Sequence, residues 1–150
     1  DMEVIKELAE DEMAYRSITK SWFMHSPLKE ILEDLSDENV RIIITTDHGS
    51  VKTKNPVKIL GDRNTNTNLR YKFGKNLQYK AKEIFEVKEP EKLFLPRINV
   101  STSYVFTRNT DFLVYPNNYN QYVNMYKDTF QHGGISMEEL LIPFAVLNPK

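Results

Sequence analysis

The chain has 150 residues, a formal net charge of −1 at pH 7, 40% hydrophobic residues and no cysteine. This composition suits one globular domain and excludes disordered and collagen-like classes. The lack of cysteine excludes disulfides and thiolate metal sites, so any metal would be held by Asp, Glu and His. No apolar stretch approaches the length of a membrane span, and no signal segment opens the chain. We therefore expect a cytoplasmic protein without membrane contact.

Charge is divided unevenly along the chain. Residues 1–47 contain twelve acidic and five basic side chains, whereas residues 48–92 contain five acidic and eleven basic ones. Solvated lysines on helix and strand faces are the ordinary interpretation of such a basic segment. An anion-binding surface is the alternative.

Two helices are predicted first. Apolar residues at spacings of three and four indicate an amphipathic helix over residues 2–22. It starts almost at the first residue, which is Asp rather than Met, so we expect a piece of something longer. Ser26 and Pro27 have the residue types of an N-cap and a first helical position, and a second helix should follow them.

The next segment is the first candidate site. A branched apolar run at residues 40–44 is typical of a parallel strand buried on both faces, and residues 45–49 (Thr-Thr-Asp-His-Gly) follow it directly. Ligands bind beyond the carboxyl ends of such strands. Because carboxylate oxygen and imidazole nitrogen are ligands for zinc and manganese, Asp47 and His48 are predicted to bind a metal.

Shorter elements follow. We predict a strand at 57–60, a polar loop at 61–68, a strand at 69–73, an antiparallel hairpin from 103–107 and 112–115, a helix at 119–125, a short helix from Met137 and a strand at 141–147. Pro143 requires an edge or starting position in the last strand. Four tyrosines near the 119–125 helix could stack nucleobases, although tyrosines at this spacing more often pack against a neighbouring layer.

A second motif occupies residues 130–143. Ser136 and Glu139 have the spacing of a capping box, which places Gly133, Gly134 and His132 on a loop before a helix. His132 is thus a candidate to point into a cleft, and an ordinary polar loop residue is the alternative reading. His25, between the first two helices, lacks a carboxylate at ligand spacing and is excluded from the site.

Together the two motifs resemble a known family. Segment 45–49, followed by residues 132–143 (His-Gly-Gly-Ile-Ser-Met-Glu-Glu-Leu-Leu-Ile-Pro), is similar to the carboxyl-terminal half of the alkaline phosphatase superfamily, and most closely to its PglZ domains. Segments 3–23 and 69–74 are also similar to PglZ domains, in particular those attached to receiver domains in PorX-like response regulators of Bacteroidetes. The resemblance implies a partial PglZ domain over residues 1–150, without its amino-terminal half. It implies an α/β fold: the carboxyl-terminal half of a three-layer α/β/α sandwich, to which the predicted hairpin is a small addition.

The resemblance also implies roles for individual residues. Asp47 and His48 would bind one of two zinc ions and His132 the other, with manganese as a possible substitute. The family's nucleophile and its remaining ligands come from segments that this chain does not contain, so the fragment alone is expected to be inactive.

The function expected is that of a metal-dependent phosphodiesterase or phosphatase, the output domain of a two-component response regulator. Four basic residues would contact a phosphate-ester or nucleotide substrate: Arg63, Arg70, Lys72 and Lys75. The same ligands would serve a sulfatase or a phosphomutase. The alternative from another class is a non-catalytic interaction or dimerisation module on the same fold, and a homodimer through an exposed sheet edge is possible.

Overall fold

The structure is a computed structural model that describes residues 2–62 and 65–149. It divides into two compact units: unit 1 is Asp1–Asp47 with Ile142–Lys150, and unit 2 is His48–Leu141. The helices of the described residues are α1 (Met2–Leu8), α2 (Glu12–Met24), α3 (Pro27–Leu35), α4 (Tyr119–Tyr126) and α5 (Met137–Leu140). The strands are β1 (Ile42–Thr45), β2 (Val51–Lys52), β3 (Asn55–Lys58), β4 (Tyr71–Gly74), β5 (Ile84–Val87), β6 (Ser103–Thr107), β7 (Asp111–Val114), β8 (Phe130–Gln131) and β9 (Phe144–Leu147). This mixture of helices and small sheets agrees with the predicted α/β class.

The first predicted helix is interrupted. Two helices, α1 and α2, replace the single helix expected over residues 2–22, and Asp11 begins the second one. The Asp11 carboxylate accepts a hydrogen bond from the Ala14 amide at 2.7 Å. An Asp at this position starts a new helix more readily than it continues an old one, because its side chain competes for backbone amides. None of the helices within the described residues is long and apolar enough to cross a bilayer.

The second helix of the sequence analysis is confirmed as α3. Ser26 is its N-cap residue with an extended backbone, and Pro27 occupies the first helical turn. The Ser26 hydroxyl donates to the Phe23 carbonyl at 2.9 Å and does not cap the helix amides. Proline at this position fits because its missing N–H would have had no partner inside the helix.

Strand β1 forms where expected, but its predicted environment is wrong. It pairs antiparallel with β9, with Ile42 opposite Leu147. Ile43 and Ile44 are 55% and 42% exposed, so the strand is not buried on both faces. The apolar run in the sequence shows only that these side chains are hydrophobic. Whether they are buried depends on the elements that pack against the two-stranded ribbon. The strand predicted from residue 141 begins at Phe144, directly after Pro143, as proline requires.

Unit 2 has its core between two small sheets. Strands β3 and β7 pair in parallel, and β4, β6 and β5 form an antiparallel sheet in that order. The core cluster consists of Val57, Ile59, Ile84, Val105 and Leu113. This core fixes the strand ends and loops that carry the candidate site residues.

The predicted hairpin is the clearest error in topology. Strands β6 and β7 are both present, but β6 pairs with β4 and β5 while β7 pairs in parallel with β3. The connection redirects the chain at Asn109, whose φ is +43°. The guanidinium of Arg70, a residue distant in sequence, donates to the carbonyls of Asn109 in this connection and of Asp111 at the start of β7.

Candidate metal centre

The two motif histidines lie against each other within unit 2. Strands β2 and β8 pair antiparallel with Val51 opposite Gln131, so the residues before β2 and after β8 meet at one end of this ribbon. The ring centroids of His48 and His132 are 3.8 Å apart, and the ring planes differ by 17°. The fold therefore brings together two of the residues predicted as metal ligands.

Local backbone contacts orient the His48 ring. Its Nδ1 atom is 2.8 Å from the Gly49 carbonyl oxygen. A carbonyl can only accept, so this contact requires a proton on Nδ1, and in a neutral ring Nε2 is then the nitrogen that can act as a metal ligand. Metal-binding histidines are commonly oriented by such a bond from the other ring nitrogen.

Gly49 allows the first motif to approach the second closely. A Cβ atom at this position would lie 1.9 Å from the backbone oxygen of Glu138. The Gly49 amide donates to the Glu139 carbonyl at 3.0 Å. Glycine is required here because no side chain fits between the two backbones.

The loop that carries His132 is held from both sides. Gly133 has a φ of +99°, a conformation that glycine adopts without strain. The Asn68 side-chain amide donates to the His132 carbonyl at 3.2 Å. Asn68 also accepts hydrogen bonds from the backbone amides of Arg70 and Tyr71 through its Oδ1 atom. This side chain thus connects the 132–134 loop to β4.

A buried ion pair supports the same loop. The Arg70 Nε and Nη2 atoms donate to the two Glu139 carboxylate oxygens at 2.8 and 2.7 Å, and both side chains are almost completely buried. Glu139 also accepts from the Gly134 amide at 2.8 Å and from the Ser136 hydroxyl at 2.8 Å. The capping box predicted from Ser136 and Glu139 is confirmed at the start of α5. Glu139 therefore ties the glycine turn, the helix start and β4 together.

The protonation of Glu139 follows from these contacts. Burial alone raises the pKa of this carboxyl group. Hydrogen bonds from Arg70, Gly134 and Ser136 outweigh burial and hold the pKa below its ordinary value. Glu139 is therefore an ionised partner of Arg70 at neutral pH, which sequence spacing alone did not indicate.

The four basic residues expected to contact substrate lie in different environments. Arg63 is outside the described residues. Arg70 is fully buried, and its guanidinium also donates to the Asn109 and Asp111 carbonyls. All of these partners belong to the protein, so the side chain stabilises the fold and does not face a substrate. Lys72 is buried and donates to the Asn66 carbonyl, and Lys75 is exposed.

Asp47 and His25 complete the inventory of candidate ligands. Asp47 is an exposed residue and the last one of unit 1, and the Thr46 hydroxyl lies 3.4 Å from its Oδ1 atom. His25 ends α2 and its Nδ1 atom is 2.9 Å from the Ser21 carbonyl, as expected for a helix-end histidine. Across residues 2–62 and 65–149 no group of three His, Cys, Asp or Glu side chains is arranged to hold a metal ion. The histidine pair fits part of a ligand set and does not complete one.

A protein-family model matches most of the chain. The model of the family described as the BREX system PglZ alkaline phosphatase-like domain matches residues 3–147. No curated protein matches the chain. Because the family match spans nearly the whole chain and includes both histidine motifs, the chain belongs to the PglZ family of alkaline phosphatase-like domains.

Proposed function

We propose that this chain supplies metal ligands to a phosphoric ester hydrolase, a phosphodiesterase or phosphatase, with Asp47, His48 and His132 as the ligands. The observation that carries the proposal is the contact between the two motif histidines, whose ring centroids are 3.8 Å apart. The Nδ1 contact of His48 supports it further, because it presents Nε2 as the ligating nitrogen. Zinc is the expected ion and manganese is the alternative.

The chain's own residues would position this chemistry. When bound, paired metal ions would activate the attacking hydroxyl and stabilise charge on the transferring phosphoryl group. Gly49 permits the close approach of the two motifs, and Asn68 and Glu139 hold the backbone that carries His132. Such fixed backbone geometry limits how far the imidazoles can move, and preorganised ligands bind metal more tightly.

The cellular setting is part of the same proposal. Segments 3–23 and 69–74 are similar to PglZ domains attached to receiver domains, so the hydrolase would be the output of a cytoplasmic two-component response regulator. A nucleotide or another phosphate ester would be its substrate. Catalytic metals usually have three protein ligands, and the described residues contain no such group, so we expect the 150-residue chain alone to be inactive.

The test is elemental metal analysis of the full-length protein, purified without added metal. About two zinc ions per chain are expected for a two-metal site. The variants Asp47→Ala and His132→Ala should each lose metal and phosphodiesterase activity. His25→Ala is the matched control, because this histidine contacts the Ser21 carbonyl at a helix end and should leave both unchanged. The proposal would be refuted if the unsubstituted protein contained no metal and if the variants were as stable as the unsubstituted protein.

An interaction module is the second candidate. All four residues of β9 are exposed, including Phe144 at 67%, and Ile43 of β1 is 55% exposed. Exposed apolar ribbons are characteristic of surfaces that a partner or a second copy covers. If the metal analysis found no ion, sedimentation of the full-length protein beside a Phe144→Glu variant would test dimerisation. A dimer that this substitution dissociates would favour the interaction module.

A further inference from the structure

Unit 2 contains a pocket that the hydrolase proposal does not use. Its volume is about 470 Å³, within the range of small-molecule sites. The side chains that line it include Leu69, Leu113, Lys72 and three tyrosines, Tyr115, Tyr122 and Tyr126. We call it the tyrosine pocket. Neither His48 nor His132 is among its lining residues.

Lys72 places a buried positive charge on the wall of this pocket. The residue is 1% exposed, and its Nζ atom donates to the Asn66 carbonyl at 2.6 Å. The same atom lies 5.1 Å from the centroid of the Tyr115 ring. Among the residues that the structure describes, no carboxylate lies at ion-pair distance from Lys72. Burial lowers the pKa of the Lys72 ammonium from 10.5 to about 8.

A buried ammonium without a counter-ion is costly for the fold. The carbonyl and the ring neutralise only part of the charge, and buried charges are normally paired. Lys72 has three N–H donors, one of which the Asn66 carbonyl engages. An anionic group in the pocket would supply the missing partner, which makes Lys72 a candidate functional residue on physical grounds.

The tyrosines give the pocket an aromatic wall. The rings of Tyr122 and Tyr126 are 6.1 Å apart and nearly parallel, with an interplanar angle of 6°. Helix α4, which carries both, has no buried residue, and Tyr122 is 37% exposed. Tyrosines at helical spacing ordinarily pack into the core, but neither of these rings does so. Tyr126 is half-buried, and the two parallel rings offer faces on which a flat ligand can stack.

We propose that the tyrosine pocket binds a planar aromatic ligand that carries one anionic group, with the anion at Lys72 and the ring against Tyr122 and Tyr126. A nucleotide and an aromatic carboxylic acid share this chemistry. The inference does not depend on the proposed hydrolysis, because it concerns binding at residues other than the histidine pair.

Binding without turnover tests the proposal. The full-length protein, treated with a chelator, would be titrated calorimetrically with AMP, indole-3-acetate, adenosine and inorganic phosphate. We expect at least one of the two aromatic anions to bind, and to bind at least about tenfold more tightly than adenosine or phosphate, because each of those lacks one half of the recognised chemistry. Tighter binding of AMP would identify a nucleotide as the ligand, and tighter binding of indole-3-acetate an aromatic acid.

Variants locate the binding. Lys72→Met should weaken binding of the aromatic anion about ten- to a hundredfold, and Tyr122→Ala about tenfold. Lys88→Met is the control, since the Lys88 side chain is 78% exposed and outside the pocket. In the unsubstituted protein, NMR titration of the Lys72 side chain should show its pKa rising when the ligand binds, a readout that needs no variant. Absence of binding by both aromatic anions, equal binding of adenosine, or an unchanged affinity in Lys72→Met would overturn the proposal.

Discussion

Replacing Lys72 by Met should stabilise the protein, although it removes a hydrogen bond. Burial lowers the pKa of this ammonium from 10.5 to about 8. At about 1.4 kcal/mol for each pKa unit, the charged form is disfavoured in the folded protein by about 3 kcal/mol. Replacing the side chain also leaves the Asn66 carbonyl without this charged donor, which costs about 2 kcal/mol. The net expectation for Lys72→Met is a gain of about 1 kcal/mol at pH 7.

The pH dependence separates this explanation from a simple packing effect. Because the folded pKa of Lys72 lies below the unfolded one, the unfolded chain binds more protons between pH 8 and 10.5. The lysine therefore costs most stability below pH 8, and the cost is relieved as pH rises through that window. Burial also raises the pKa of the hydroxyl of Tyr115, whose ring Lys72 contacts. The advantage of the variant should shrink between pH 7 and pH 10.

Urea unfolding of the full-length protein at both pH values is the assay, with Lys88→Met as the exposed control. A difference between Lys72→Met and the unsubstituted protein that is independent of pH would refute the reasoning, because it would show that the charge itself carries no cost. A loss of stability at every pH would do the same.

Three further predictions concern the support of the His132 loop. Glu139→Gln leaves the buried Arg70 guanidinium without its counter-ion and should cost about 3–5 kcal/mol in urea unfolding, while Glu138→Gln, an exposed neighbour, should cost little. Because the pKa of Glu139 is held below 4.5, its contribution to the free energy of unfolding is complete above that pH and is lost as pH falls through the folded pKa. The difference in stability between the unsubstituted protein and Glu139→Gln should therefore become smaller in acid. A difference that does not change with pH would contradict the ion-pair explanation. Gly49→Ala should lower the thermal midpoint and the metal content, because its Cβ would lie 1.9 Å from the Glu138 backbone oxygen. Gly74→Ala is the matched control, because the nearest contact of its Cβ is a side-chain oxygen at 3.2 Å. Equal effects of the two substitutions would contradict the argument that Gly49 is needed for close approach.

Local features of the fold could be predicted from the sequence because their causes are local. Ser26 and Pro27 begin α3 as predicted, and the strand predicted over residues 141–147 is present as β9, which begins directly after Pro143. The order of the two histidine motifs was enough to identify the family, whose model matches residues 3–147. These signals depend on residue type and spacing, which a sequence displays directly.

Long-range features could not be predicted in this way. The sequence shows the charge of Arg70, and we expected that charge to face a substrate. Its partner Glu139 is 69 residues away along the sequence, so the ion pair between them could not be predicted from spacing. Arg70 also donates to the carbonyls of Asn109, between β6 and β7, and of Asp111, at the start of β7, and sequence spacing did not show these contacts. The apolar run in β1 likewise showed side-chain character and not the exposed ribbon in which it lies.

The stacked histidines also have a consequence for the order of folding. Their contact closes a chain segment that runs from His48 to His132 and encloses almost all of unit 2. Closing so long a loop costs conformational entropy, which only the enclosed β-sheet contacts can offset. We therefore expect the histidine pair to assemble late, after the core around Val105 has formed. A peptide that contained only residues 45–49 would have the same sequence but could not form the contact between the two histidine rings. Formation of this contact therefore indicates that the whole segment between the two histidines has folded.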